Sequence, residues 1–175
     1  MARALSPPLP KTIKPLELAA REGRLEGALA LRDCPRLAAL GAADGGGDVV
    51  VALQFARNGA ERPACTGSVE VALMLTCQRC LDQVLISVKG EVQAEFVTGD
   101  GEPQAEGFEA VNLDEETLSL SDFVEDEVLL ALPFAPTHEV GGCVIEEAYK
   151  EVEAEPSQAR VKPFAQLRDL LDKKP

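Results

Sequence analysis

Two cysteines separated by two residues, Cys77 and Cys80 in Thr76-Cys77-Gln78-Arg79-Cys80-Leu81, are the first candidates for chemistry in this chain. That spacing lets one tight turn aim both sulfurs at a single metal ion. His138, the only histidine, and Cys143 supply a second pair of soft ligands. Cys77, Cys80, His138 and Cys143 together make the four-ligand set that structural zinc prefers. Knuckles of this type usually carry glycine after the second cysteine, where this chain has Leu81. Two small half-buried residues at a hairpin tip are the second reading, and a redox use of Cys77 and Cys80 the third. Thiol oxidoreductases place the first cysteine at a helix N-terminus, which lowers its pKa. Here strand-like sequence follows the pair, so that device is missing, although Arg79 could favour a thiolate. Cys34 and Cys65 have no spaced partner and read as ordinary small residues.

Other catalytic constellations lack their parts. A lone histidine with no placed serine or aspartate partner makes no triad. Gly45-Gly46-Gly47 lacks the Lys-Ser/Thr that phosphate binding needs. The many carboxylates read as a solvated face, not as a two-carboxylate hydrolase. No small-molecule substrate is indicated.

The elements that must position the cysteines follow from periodicity. Ser68 to Thr76 alternates around Val69, Val71, Leu73 and Leu75, and Val84, Ile86 and Val88 resume the period of two. This places the knuckle at the tip of a hairpin of two long antiparallel strands. Val49 to Arg57 predicts a further strand ending at an Asn58-Gly59 turn, with Leu25 to Leu31 another. Phe108 to Leu113 predicts one more. Leu16 to Glu22 predicts a short helix closed by Gly23, and Asp33 an N-cap for a second helix with Pro35 in its first turn. Ser119 caps the strongest helix, with Leu120, Phe123, Val124, Val128 and Ala131 inward and Asp122, Glu125, Asp126 and Glu127 outward, stopped by Pro133. A last helix is predicted at 163–172. The expected class is α+β, an antiparallel sheet that could curl toward a barrel, with a few short helices. Residues 1–10, with three prolines, read as a loose arm, and 11–175 as a single domain with an acidic flexible loop near 99–107.

Charge limits the partners. The net charge is −13, and between Gly90 and Tyr149 there are sixteen acidic residues and no Lys or Arg. Such a surface repels phosphate backbones. Six Phe and one Tyr give little material for a base-stacking platform. RNA contact therefore falls to Arg79, Arg24 and the basic N-terminal residues, or to the tail with Lys162, Arg168, Lys173 and Lys174. Asp122, Glu125, Asp126 and Glu127 are the candidates for contact with a basic protein. No stretch approaches the ~20 apolar residues of a membrane span. The proline-rich start has no apolar core, so a cytoplasmic protein is expected, with thiols or metal ligands in preference to disulfides.

Several segments resemble one family. Leu75-Thr76-Cys77-Gln78-Arg79-Cys80-Leu81 resembles the core signature of the YceD proteins, the large ribosomal RNA subunit accumulation proteins of bacteria and plastids. Val124-Glu125-Asp126-Glu127-Val128-Leu129-Leu130-Ala131-Leu132-Pro133 resembles that family's acidic-then-apolar helix. Lys162-Pro163-Phe164-Ala165-Gln166-Leu167 resembles its C-terminal motif, and Arg24-Leu25-Glu26-Gly27 also fits. The resemblance implies a non-enzymatic factor for synthesis, processing or stability of large-subunit (23S) ribosomal RNA in ribosome biogenesis. It would act on ribosomal RNA or a pre-ribosomal particle, directly or through a basic protein. Two rivals are an acidic adaptor binding a basic ribosomal or processing protein, and a thiol oxidoreductase using Cys77 and Cys80.

Overall fold

The computed structural model describes residues 9–40, 47–99 and 101–143. The tail motif at Lys162–Leu167, the helix expected at 163–172 and the first eight residues of the arm lie outside them. In chain order the elements are β1 (Thr12–Ile13), α1 (Pro15–Ala20), β2 (Arg24–Leu29), α2 (Pro35–Leu40), β3 (Val49–Arg57), β4 (Pro63–Thr76), β5 (Gln83–Val97), β6 (Glu109–Asn112), β7 (Leu118–Ser119) and α3 (Leu120–Ala131), with a 3-10 turn at Leu31–Asp33.

The α+β class is as expected, and one five-stranded sheet in the order β2-β3-β4-β5-β6 carries it. β2 to β5 run antiparallel, whereas β6 is parallel to β5. The sheet does not close into a barrel. After β5 the chain crosses over and re-enters beside it, and four-residue β6 ends one edge while β2 forms the other. β1 and β7 pair separately as a two-stranded ribbon.

β4 begins at Pro63, five residues before the expected start at Ser68. Ala64 and Gly67 carry little strand propensity, yet both pair with β3. Gly67 faces Leu53, where an added Cβ would lie 2.0 Å from the Ala52 carbonyl oxygen, so only glycine lets the two backbones approach this closely. Proline is tolerated as the first residue of the strand.

One face of the sheet alternates buried side chains along β3, β4 and β5. α1 covers β3 and β4, and α3 covers β5 and β4. Phe55 stacks on Phe96 with ring centroids 6.1 Å apart, and Phe96 meets Phe123 of α3 at 6.3 Å. The helix can lie this close because position 90 is glycine. A Cβ there would stand 3.1 Å from the Glu127 carbonyl oxygen and 3.3 Å from the Ala131 methyl.

α3 starts as expected, with the Ser119 hydroxyl accepting from the Asp122 N–H at 3.4 Å. Glu125 departs from expectation. It is buried, with 1% of its surface exposed, and Glu127 is half-buried, so only Asp122 and Asp126 of the four acids face outward. Glu125 accepts from the backbone N–H groups of Arg36 and Leu37 at 2.7 and 3.1 Å and from Arg36 Nε at 3.1 Å. It thereby caps α2, the role expected of Asp33, which lies in the 3-10 turn instead. A buried carboxylate is tolerable only when hydrogen-bonded in this way. Glu95 is likewise fully buried. It accepts from Asn58 Nδ2 at 2.8 Å and from the N–H groups of Gln104 and Ala105 at 3.2 Å, tying the Asn58 turn to the acidic loop. Burial raises its carboxyl pKa, but these donors and the Arg62 charge outweigh that and hold it below the usual range. No helix among the described residues is long and apolar enough to cross a membrane.

Candidate metal centre

The β4–β5 hairpin ends in a turn whose backbone bonds aim two sulfurs the same way. Cys77 N–H donates to the Asp82 carbonyl at 2.8 Å, and Leu81 N–H donates to the Cys77 carbonyl at 2.9 Å. Arg79 N–H donates to Cys77 Sγ at 3.4 Å. Leu81 closes the turn at φ +66°, the left-handed region that glycine normally fills, and its side chain is 70% exposed. The chain after α3 then returns to this tip. Gln78 N–H donates to the Pro136 carbonyl at 2.8 Å, which brings His138 and Cys143 to the knuckle.

All four expected ligands converge. One ligand atom each from Cys77, Cys80, His138 and Cys143 lies within 4.8 Å of the others. Cys77 Sγ is 3.7 Å from Cys143 Sγ, and His138 Nδ1 is 3.4 Å from Cys80 Sγ and 3.7 Å from Cys143 Sγ. A tetrahedral zinc with ordinary bond lengths would set its ligands about 3.8 Å apart for two thiolates and about 3.6 Å for thiolate and imidazole. Three of the six edges, at 3.4–3.7 Å, are close to those of that tetrahedron and the rest lie within 4.8 Å, so the residues fit a metal of this class. His138 Nε2 lies 3.1 Å from the Gln83 carbonyl oxygen, which can only accept, so the ring proton sits on Nε2 and Nδ1 offers its lone pair inward. The spacing of His138 and Cys143 gave no hint of this second contact.

Electrostatics sets Cys77 apart from Cys80, Cys34 and Cys65. Burial pushes Cys77 up, but N–H groups of Cys80, Arg79 and His138 outweigh it and bring the thiol down to about 5. Cys80 is pulled down by the Asp82 backbone, yet burial and its neighbours Cys77 and Cys143 carry it up to about 11. Three sulfurs this close cannot all hold negative charge without a cation between them. Three thiolates and one imidazole on a divalent ion would leave one negative charge, and Arg79 Nη1 sits 4.0 Å from Cys143 Sγ, where it offsets that charge. Cys34 and Cys65 are buried, and desolvation raises them to about 11 and about 12, so they are inert fillers of the core.

The remaining candidate contacts do not gather around this centre. Arg79 is exposed at the tip, but Arg24 sits on β2 with its guanidinium on Gln54. Arg24 pairs with Gln54 and Gln54 with Thr66, ten residues down β4 from Thr76. That separation is about 30 Å along the sheet, so Arg24 and Arg79 make no single basic surface. Asp126 pairs with Arg36 at 2.6 Å, a residue that spacing alone did not single out because its partner lies 90 positions away.

No solved structure matches the chain. The family model described as large ribosomal RNA subunit accumulation protein YceD matches residues 65–171. The matched span takes in β5, α3 and all four converging ligands, whereas the Arg24–Gly27 segment lies before it. With more than half of its 175 residues matched, and with the knuckle inside the match, the chain belongs to the YceD family.

Proposed function

We propose that this protein is a non-catalytic, cytoplasmic factor that supports synthesis, processing or stability of 23S ribosomal RNA, with zinc as a structural ion at the knuckle. The observation that carries the ribosomal reading is the family match over residues 65–171. The metal reading rests on the convergence of Cys77, Cys80, His138 and Cys143 within 4.8 Å of one another, with three of their separations near those of a tetrahedral zinc site. Bound there, zinc would pin the β4–β5 hairpin to the segment after α3, a cross-link that contributes directly to folding. The chain's acidity favours contact with the pre-ribosomal particle through a protein, with Arg79 the one base at the knuckle tip positioned for RNA. The thiol oxidoreductase alternative is less well supported, because Cys77 is fully buried and no helix among the described residues starts at the knuckle.

Deleting the gene should lower mature 23S RNA relative to small-subunit RNA and deplete large subunits in a gradient. Complementation with Cys77→Ser should be poor, and the purified variant should lose the approximately one zinc per chain carried by the unsubstituted protein. A normal RNA ratio, or equal loss of both subunits, rules out the assembly reading. Metal-free protein whose melting point ignores chelator rules out the zinc.

A further inference from the structure

A groove runs between α3 and the β6 edge of the sheet, well away from the knuckle. Its volume is about 510 Å³, and its apolar lining includes Val111, Leu118 and Leu130. Leu130 is 70% exposed there, an uncommon cost for a leucine on a helix whose other face is buried. The groove passes Glu127 and Leu130 into a second hollow of about 390 Å³ beside Gly90 and Gln93 of β5. β6 pairs with β5 only from Ala94 onward, so the preceding stretch of β5 leaves that edge open among the described residues.

The rim is acidic but for Lys89, which lines the second hollow and is paired with Glu70 at 3.0 Å. Glu109 and Glu127 line both hollows, Asp122 lines the larger, and none of the three is in a salt bridge among the described residues. Asp126, also at the groove, is already held by Arg36. Burial raises the Glu127 carboxyl above its ordinary value, and the nearby charges of Glu109 and Asp126 raise it further. Like charges crowded around an apolar floor are relieved by cations that carry their own apolar groups.

We propose that this groove docks a lysine- and arginine-rich segment of a partner protein, with leucine-like side chains seated on Leu130 and Val111 and cations on Glu109, Asp122 and Glu127. RNA does not suit it, because the rim repels phosphate and the one aromatic ring of the lining, Phe123, is only 4% exposed. The site begins at Lys89, six residues along β5 from its start at Gln83 beside the knuckle, about 20 Å away. It is therefore independent of the metal centre, and the inference goes beyond the ribosomal reading, which neither its success nor its failure decides.

The test is fluorescence anisotropy with the full chain and a labelled twelve-residue peptide of lysine and arginine with leucine at every third position. A second peptide replaces leucine by serine, and a poly-uridine RNA of equal length is the third probe. The leucine peptide should bind at least tenfold more tightly than the serine peptide, and the RNA should not compete. Leu130→Asp should weaken leucine-peptide binding at least tenfold, and the Glu109→Gln, Glu127→Gln pair should weaken it and flatten its salt dependence. Glu26→Gln, on distant β2, should change nothing, and matched thermal melts establish that the variants fold. Equal binding of the two peptides, no effect of Leu130→Asp, an equal effect of Glu26→Gln, or displacement by RNA overturns the proposal.

Discussion

Leu81 holds the knuckle in a backbone conformation that its own side chain opposes. At φ +66° a residue with a Cβ meets the following carbonyl oxygen, at a cost of about 1–2 kcal/mol. The exposed side chain recovers little of that through packing. Leu81→Gly should therefore raise stability by about 1 kcal/mol while zinc content stays the same, read as the denaturation midpoint and metal content of one preparation. A lower midpoint would mean that the leucine has a partner that offsets the strain. Glu125 shows the converse at the same scale. A charge that looks solvent-bound in the sequence is spent inside the fold, because α2 presents unbonded N–H groups that no nearby residue caps.

At the scale of elements, the decisive contact is α3 against β5. Ser119 starts the helix and Phe123, Val124 and Val128 bury its stripe, but the approach distance is set by Gly90 across the interface. Gly90→Ala should stiffen the unfolded chain, a gain of about 0.4–1 kcal/mol. Its methyl would also meet Val69 Cγ2 at 3.0 Å and the Glu127 backbone, so α3 must shift outward. Overpacking of this kind costs about 1–3 kcal/mol, and the net effect should be a lower urea midpoint. A raised midpoint would show that the helix has room to move.

For the whole molecule, the metal centre and the core are separate cooperative features. The core runs through Phe55, Leu73, Phe96 and Val124, none of which is a metal ligand, whereas the knuckle and the segment after α3 are joined by few bonds besides the four ligands. Chelation should therefore act locally. Hydrogen exchange should speed up at 76–83 and 132–143, while β3, β4 below the hairpin tip and α3 remain protected. The melting temperature should fall without loss of the sheet. Uniform deprotection across the domain would mean that the metal holds the entire fold.

Much of this was legible in residue order. The alternation of Val69 to Leu75 and of Val84 to Val88 located the hairpin, the Cys-x-x-Cys spacing located its tip, and Ser119 with Pro133 bounded α3, because each depends on near neighbours along the chain. The α+β class followed from those elements. The four ligands could be chosen by type, since the only histidine and the only cysteine after Cys80 lie five residues apart. Only the tertiary structure decided what depends on distant pairing. β6 runs parallel to β5 and the sheet stays open, since strand direction is set by a crossover and not by periodicity. The early start of β4 depends on its β3 partner rather than on its own propensity. Glu125 and Glu95 turn inward because donors from remote segments await them, and His138 presents Nδ1 because the Gln83 carbonyl claims the other nitrogen. Buried polar groups are placed by their partners, and those partners are far away in sequence.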